Sequence, residues 1–368
     1  MTSINLTVPP SDSIEVSLFG PGIGESICVH LGLGKWLIVD SCLNPETGMP
    51  AALEYLLCLG VNVSIDVELI VISHWHNDHI KGLSKIIEAC SSAKIVFSEA
   101  FLIEEFKTFV KALNSAPLPG PIETETDEII KVLQICKARK NNKQSLNISK
   151  AIADRLLYRS EIAEVWSLSP SDDAVIQSKV DIGVETFKQT RHRRRVKMTE
   201  NLNSVAIWIS TPFGNVLLGS DLEASSSNTT TTGWQAVLNS RQRPQEKAKF
   251  FKIPHHGSVT GHLQQVWEDM IESDPIGFLT EYRSSRLPNE SDLVRLLSLT
   301  SSLFRTTEPN NKLPRRENTI DKAMRGSVKR RRTILNTLGH IQIRSEASGH
   351  IVGLNNSALQ VSNIKSCK

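Results

Sequence analysis

The stretch that decides the fold is SHWHNDHIKG, residues 73–82, which places three histidines and one aspartate within positions 74–79. It follows the apolar run Val67–Ile72, which is typical of a buried β-strand. Side chains that can ligate a metal rarely gather directly after a buried strand for packing reasons alone. The segment therefore predicts a metal site.

The spacing of these residues predicts two adjacent cation positions. In an extended segment residues i and i+2 project the same way, so His74 and His76 can bind one cation. The chain then turns into a helix, where Asp78 and His79 can bind a second one. Imidazole and carboxylate ligands suit zinc, manganese or iron, and the segment has no cysteine that would favour zinc.

Two later strands end on further candidate ligands. VLLGSD, residues 216–221, delivers Asp221, the candidate for a carboxylate that bridges two metals. FFKIPHHGS, residues 250–258, delivers His255 and His256. Because neighbouring residues at a strand end point in different directions, we expect one of these histidines to ligate and the other to face substrate.

Composition indicates a soluble globular protein. Of the 368 residues 40% are hydrophobic and 22% are charged, which argues against disordered, collagen-like and coiled-coil proteins. No signal peptide and no apolar run of about 18 residues is recognisable, so we expect a cytoplasmic location without membrane contact. Six scattered cysteines are typical of reduced thiols.

Periodicity predicts strands at both ends of the chain and helices between them. The predicted strands are Ile14–Leu18, Glu25–Leu31, Lys35–Val39, Val67–Ile72, Ser204–Ser210, Asn215–Gly219, Lys249–Pro254, Leu338–Arg344 and His350–Leu354, and the predicted helices are Ala51–Leu59, Lys81–Cys90, Ala100–Leu113, Ser149–Ser160 and Leu293–Phe304. We interpret residues 1–368 as a single domain, with a helical, charge-rich insertion over 100–200 and a basic, flexible loop over 305–335.

The net charge of +3 is unevenly distributed. One dense basic run could neutralise the phosphates of DNA or RNA without reading their sequence. A solvated surface loop explains such a run equally well. The run consists of Arg191, Arg193, Arg194, Arg195 and Lys197.

Taken together, these motifs resemble the metallo-β-lactamase-fold hydrolases, and within them the soluble hydrolase domain attached to the ComEC-type DNA-uptake proteins. The resemblance implies an α+β fold, an αββα four-layer sandwich. Its H-x-H-x-D-H loop is specific for the superfamily, and its PHHGS segment points to the ComEC-like branch. The segments that carry it are FGPGIGES (19–26), WLIVDS (36–41), HWHNDH (74–79), LNS (202–204), LGSD (218–221), IPHHGS (253–258) and GHIQIR (339–344).

The resemblance also implies a role for each candidate residue. The first metal would be held by His74 and His76, the second by Asp78, His79 and His256, with Asp221 bridging them. Asp78 and His255 are the expected catalytic residues, with His255 nearer the scissile group.

Three further residues are expected to support the ligands. Asp40 is expected to hold the metal loop through hydrogen bonds. Many members of the superfamily supply another histidine to the first metal from the middle of the chain, whereas this chain resembles the ComEC-like pattern with Asn203 and Ser204 at that place. An amide, a hydroxyl or a water would then complete the site, and Mn²⁺ is as plausible as Zn²⁺.

Two divalent cations would activate a hydroxide and stabilise the charge that develops in an in-line displacement. We therefore expect a metal-dependent hydrolase, and specifically a phosphodiesterase or nuclease. The same ligands are compatible with a small phosphoester, or with an ester or amide that contains no phosphate. An alternative is a hydrolase effector of a multi-protein defence or signalling assembly, inactive until a protein partner binds through the 100–200 insertion.

Overall fold

A computed structural model describes residues 2–101, 125–189, 200–225, 231–307, 338–355 and 357–361. The strands are β1 (Ile14–Gly20), β2 (Ser26–His30), β3 (Trp36–Val39), β4 (Val67–Ile72), β5 (Lys94–Ser98), β6 (Asn147–Ala151), β7 (Arg155–Arg159), β8 (Glu164–Ser167), β9 (Ile207–Ser210), β10 (Val216–Leu218), β11 (Ala248–Lys252), β12 (Ile271–Leu279), β13 (Ser302–Arg305), β14 (Gly339–Glu346), β15 (Gly349–Asn355) and β16 (Leu359–Gln360).

The helices lie between these strands. They are α1 (Ala51–Cys58), α2 (Val63–Asp66), α3 (Asn77–Ile80), α4 (Leu83–Ala89), α5 (Glu125–Asn141), α6 (Asp172–Gln189), α7 (Gly233–Asn239), α8 (Gln264–Met270) and α9 (Glu290–Leu297), with single 3₁₀ turns at Glu99–Phe101, Glu200–Asn203, His255–Gly257 and Val259–Gly261. Within the described ranges, every helix is too short or too polar to cross a bilayer.

Two sheets form the centre of the molecule. The first has the order β15-β14-β1-β2-β3-β4-β5-β6, and the second has the order β16-β13-β12-β11-β10-β9-β8-β7. Both sheets are mixed: β4 pairs in parallel with β3 and β5, whereas β1 pairs antiparallel with β2. In the second sheet β11 pairs in parallel with β10 and β12, and β9 pairs antiparallel with β10.

The alternation of side chains along the strands creates three apolar layers. In β3, Leu37 packs between the two sheets while Ile38 packs outward under α1 and α4, because successive side chains of a strand point to opposite faces. On the outer face of the second sheet, Trp208 and Phe251 pack against α7 and α8. The expected αββα sandwich is therefore confirmed.

The fold brings the ends of three strands to one place. Strands β4, β10 and β11 end at Ile72, Leu218 and Lys252, and the chain continues from each of them into a loop that carries candidate ligands. Carboxyl ends of parallel strands share one edge of a sheet, which is where ligands of α/β proteins gather. One loop comes from the first sheet and two come from the second.

Part of the predicted helical insertion is sheet. The predicted helix over Ser149–Ser160 is wrong: β6 pairs in parallel with β5, and β7 pairs with β8 in the other sheet. Residues 125–141 and 172–189 are helical. The predicted helix over Ala100–Leu113 lies mostly outside the described residues.

Near the C-terminus, the structure modifies one prediction. The predicted helix over Leu293–Phe304 ends at Leu297, and Ser302–Arg305 forms β13 beside β12. The predicted final hairpin is confirmed as β14 and β15. Beyond residue 307, the predicted basic loop lies outside the described residues.

Candidate metal centre

The loop after β4 is fixed by backbone hydrogen bonds from two other segments. Glu25 N donates to the carbonyl oxygen of Asp78 (2.9 Å), and Ser41 N donates to that of His79 (2.7 Å). Within the loop, His79 N donates to the carbonyl oxygen of His76 (2.9 Å), which starts α3. The histidine-rich segment is therefore held at both of its edges.

Three histidines converge on the carboxylate of Asp221. The Oδ2 atom of Asp221 lies 3.5 Å from His79 Nε2, 3.7 Å from His256 Nε2 and 3.8 Å from His74 Nε2. Asp78 lies beside them, with its Oδ2 atom 3.5 Å from His256 Nε2 and 3.8 Å from His79 Nε2. The three loops thus bring these five sequence-predicted residues together.

The buried polar atoms of this cluster fit a divalent cation. The Nε2 atoms of His74, His79 and His256 and the Oδ1 atom of Asp221 are buried, and none of them has a hydrogen-bond partner among the described residues. An unpaired buried polar group is costly, so three unpaired Nε2 atoms around one carboxylate indicate a bound ligand. Imidazole nitrogens and carboxylate oxygens are donors that Zn²⁺ and Mn²⁺ accept.

Hydrogen bonds orient two of these rings from behind. The Ser73 hydroxyl donates to Asp40 Oδ2 (2.5 Å), so the contact of 2.9 Å between Ser73 Oγ and His74 Nδ1 assigns the proton to His74 Nδ1. His79 Nδ1 lies 2.7 Å from Asp40 Oδ2 and donates to it. In both rings Nδ1 is engaged by these hydrogen bonds, so Nε2 is the atom that would bind a metal.

The ring of His256 is oriented in the same way. Its Nδ1 atom lies 2.9 Å from Thr280 Oγ1 and 3.2 Å from the carbonyl oxygen of Thr280. The Thr280 hydroxyl itself donates to Glu25 Oε2 (2.6 Å), so His256 Nδ1 donates to Thr280. The ring of Tyr282 stacks on His256 with centroids 5.1 Å apart.

Charges within the cluster shift the pKa values of its members. Burial raises the pKa of Asp221, but the charges of His256 and His79 outweigh it and hold that pKa well below the usual range. Burial lowers the pKa of His79, but Asp221, Asp78 and Asp40 outweigh it and raise that pKa well above the usual value. Burial and the neighbouring histidines lower the pKa of His74. The carboxylates of the cluster are thus kept ionised.

His255 belongs to a separate group of residues. Its Nδ1 atom lies 2.9 Å from Glu223 Oε1 and 2.8 Å from Thr260 Oγ1, and its Nε2 atom lies 3.4 Å from Asn201 Nδ2. Burial lowers the pKa of His255, but the hydrogen bond to Glu223 and the charges of Asp221 and Glu223 together outweigh it, so the pKa is raised. The His255 side chain is 19% exposed, against 1% for His256. The two adjacent histidines therefore point to different surroundings.

The remaining candidates lie around the His74 side of the cluster. The His76 ring is half-buried and lies 4.8 Å from the His74 ring, nearly perpendicular to it. Asn203 and Ser204 are buried, and Val205 N donates to the carbonyl oxygen of Ser73 (3.1 Å), which sets this segment beside the end of β4. Asn203 Oδ1 and Ser204 Oγ lack a hydrogen-bond partner among the described residues.

Comparison with known proteins identifies the family. The family model described as "Metallo-beta-lactamase superfamily" matches residues 20–275. This chain belongs to the metallo-β-lactamase superfamily. Membership implies a metal-dependent hydrolase, and superfamily members typically bind divalent metals.

Solved structures of this superfamily resemble the chain at low sequence identity. The metallo-β-lactamase fold protein YhfI from Bacillus subtilis is 13% identical, with 79% of this chain and 95% of that chain covered and a TM-score of 0.37. A metallo-β-lactamase with a HARLDQ motif from Cronobacter sakazakii is 12% identical, with 62% of this chain and 68% of that chain covered and a TM-score of 0.31. None of the curated proteins matches the sequence significantly.

Several site residues were not found by sequence reasoning. Glu25 and Thr280 support His256, and Glu223 supports His255, but single polar residues in loops carry no spacing signal. Lys252 is fully buried, and its Nζ atom lies 2.6 Å from Glu25 Oε1. A lysine inside the apolar strand FFKI, residues 250–253, was the one available signal. The basic run Arg191–Lys197 lies outside the described residues.

Proposed function

We propose that this superfamily member is a phosphodiesterase, specifically a nuclease that cleaves DNA or RNA with two divalent cations, Zn²⁺ or Mn²⁺. The observation that carries the proposal is the convergence of three unpaired histidine Nε2 atoms on Asp221 Oδ2, with Asp78 beside them. A pair of cations suits phosphodiesters because it can neutralise charge on both the attacking and the leaving oxygen.

The proposed ligand assignment is supported by burial and by the distances within the cluster. We propose that His74 and His76 serve the first cation, that Asp221 bridges, and that the second cation is held by Asp78, His79 and His256. Support for His256 over His255 is its burial and its distances of 3.5 Å to Asp78 Oδ2 and 3.7 Å to Asp221 Oδ2. Asn203 and Ser204 would complete the coordination of the first cation with their side-chain oxygen atoms, either directly or through a water molecule.

The chain's own residues would divide the remaining work. When bound, divalent cations supply Lewis acidity and lower the pKa of a water molecule toward neutrality. Asp40 holds the His79 ring, and Thr280 holds the His256 ring, so that both Nε2 atoms face Asp221. His255, which is partly exposed and held by Glu223, would donate a proton to the leaving oxygen.

We propose further that the chain belongs to the ComEC-like branch and that residues 1–368 act as one hydrolase domain. Its PHHGS segment and the pair Asn203-Ser204 support this placement. Nucleic-acid contact by Arg191, Arg193, Arg194, Arg195 and Lys197, activation by a protein partner, and a cytoplasmic location stay predictions. Turnover by the purified chain alone would argue against the partner-activated alternative.

The test combines metal analysis with cleavage assays. Purified protein is loaded with Mn²⁺ or Zn²⁺, bound metal is quantified, and hydrolysis of bis(p-nitrophenyl) phosphate, linear DNA and RNA is measured. We expect about two metals per chain and cleavage that Asp78→Ala abolishes. Metal-loaded protein without phosphodiester turnover would contradict the phosphodiesterase, and protein without metal affinity would contradict the metal site.

A matched pair of variants separates the two adjacent histidines. His256→Ala should lose metal from the second position because it removes a ligand. His255→Ala should keep both metals and lose about 10²- to 10⁴-fold in turnover, as is typical when a proton donor is removed. Loss of metal in His255→Ala but not in His256→Ala would reverse the assignment.

A further inference from the structure

We infer that the buried ion pair between Lys252 and Glu25 is a positioning device that fixes Asp221 and His256 for metal binding. The inference deepens the proposed metal site and rests on it. Lys252 ends β11, Glu25 precedes β2, and both side chains are almost fully buried. The pair thus links the two sheets directly beneath the candidate ligands.

Lys252 acts on Asp221 through the backbone. Its Nζ atom donates to the carbonyl oxygen of Ser220 (2.9 Å), and the same carbonyl accepts from His255 N (2.9 Å). Ser220 has a φ of +44°, a left-handed conformation that a serine adopts only when its surroundings impose it. This turn directs the carboxylate of Asp221, whose Oδ1 atom lies 3.9 Å from Lys252 Nζ.

Glu25 acts on His256 through Thr280. Its Oε2 atom accepts from the Thr280 hydroxyl, which in turn accepts from His256 Nδ1. Its Oε1 atom binds Lys252 and lies 3.9 Å from His79 Nδ1. Lys252 therefore holds the Glu25 carboxylate in place. Through Thr280, this carboxylate orients the ring of His256 on the opposite side of the cluster.

A buried ion pair is a costly way to stabilise a fold, because two charges must leave water. Replacing both partners by neutral residues is often harmless to stability, whereas removing one leaves an uncompensated charge. If the pair serves the metal site, a double variant in which both partners are neutral should regain the stability of the fold. It should still bind metal more weakly than the wild type.

The experiment compares Lys252→Met, the double variant Glu25→Gln with Lys252→Met, and the control Lys94→Met. Lys94 is half-buried in β5, and its Nζ atom also donates to a carbonyl oxygen, that of Leu157 (2.7 Å), which belongs to β7 and not to the cluster. Titration calorimetry with Mn²⁺ and Zn²⁺ gives the affinities, and the visible spectrum of Co²⁺-loaded protein reports the ligand geometry. Thermal unfolding of metal-free protein reports the fold.

We expect the double variant to unfold near the wild-type temperature and to bind metal about 10- to 100-fold more weakly, the loss typical of residues that orient ligands. Its Co²⁺ spectrum should change, whereas Lys94→Met should match wild type in both respects. Lys252→Met should show the same loss of affinity together with a lower unfolding temperature. If Lys252→Met does not fold, the double variant decides.

Wild-type affinity and an unchanged Co²⁺ spectrum in the double variant would overturn the inference. An equal loss of affinity in Lys94→Met would overturn it as well, because the effect would then follow general destabilisation. Wild-type protein that binds no metal would instead overturn the proposed function itself, so the two failures are distinguishable.

Discussion

At the scale of the residue, Asp40 shows how one carboxylate can serve two ligands. Asp40 Oδ1 accepts from Ser73 N (2.8 Å), while its Oδ2 atom accepts from both the Ser73 hydroxyl and His79 Nδ1. The Ser73 hydroxyl then orients His74. Since a carboxylate has only acceptors, it suits a place where three donors meet.

Asp40→Asn should therefore weaken metal binding about 10- to 100-fold. One of the two acceptor atoms becomes an NH₂ donor, which cannot accept from Ser73 or His79. Titration calorimetry with Zn²⁺ measures the change, and Asp66→Asn on the surface, where Asp66 pairs with Lys35, serves as the control. Wild-type affinity in Asp40→Asn would show that the loop keeps its ligands oriented without this carboxylate.

Residue identity alone predicted the side chains that can ligate a metal. It predicted only some of the residues that hold those side chains by hydrogen bonds. The H-x-H-x-D-H spacing and the two strand ends predicted that His74, Asp221 and their neighbours lie near one another, because strand geometry projects them to a common edge. Glu25 and Glu223 escaped prediction, since each is a lone carboxylate whose partner is distant in sequence. Which of His255 and His256 faces the cluster depends on left-handed φ values of +47° and +52°, which spacing does not reveal.

At the scale of the element, the turn between β1 and β2 is shaped to receive the metal loop. Gly24 has a φ of +122°, and a Cβ atom at this position would lie 2.8 Å from the carbonyl oxygen of Asp78. The next residue, Glu25, donates its N–H to that same oxygen. Close approach of the two backbones thus requires glycine at this position.

Gly24→Ala should lower the free energy of unfolding by about 1–3 kcal/mol, because it adds both an unfavourable φ and a clash. Gly34 is the matched control, since its φ is +71° and a Cβ atom there would meet nothing within 4 Å. Urea unfolding of both variants measures the difference. Equal destabilisation in Gly24→Ala and Gly34→Ala would show that the contact with Asp78 has no energetic weight.

Elements with a clear hydrophobic pattern in the sequence were predictable. Elements whose structure is decided by pairing with a neighbouring strand were not. Strand β4 was predicted at its observed bounds because VELIVI, residues 67–72, is a short apolar run. The segment of β6 and β7 has apolar residues at helical spacing, yet it forms edge strands because β5 and β8 offer backbone partners. Tertiary pairing of this kind is not encoded in local propensity.

At the scale of the whole molecule, buried neutral histidines make stability depend on pH. Burial lowers the pKa of His30 to about 4 and that of His340 to about 3. Both values lie below the roughly 6.5 of an unfolded chain. Between about pH 6.5 and these lower values the unfolded state binds more protons than the folded state, so the free energy of unfolding falls as the pH falls.

His340→Gln should remove the contribution of His340 to the pH dependence of the free energy of unfolding. Well below pH 6.5, each such histidine lowers the free energy of unfolding by about 1.4 kcal/mol for every unit by which the pH falls. Between pH 6 and 4, the free energy of unfolding of the variant should therefore change less steeply with pH, by about that amount. Urea unfolding of both proteins at pH 7, 6, 5 and 4 measures it, and other titrating groups cancel in the comparison. Parallel curves for variant and wild type would mean that His340 is protonated in the folded protein.

The division of the cluster between the two sheets also has a consequence for biosynthesis. A nascent chain that has left the ribosome as far as His79 carries one half of the cluster, and the opposing groups Asp221 and His256 emerge only after β10 and β11 have been made. The two halves meet when the apolar layer between the sheets closes. The complete set of candidate ligands therefore comes together only after the chain has been synthesised through His256 and the two sheets have packed against each other.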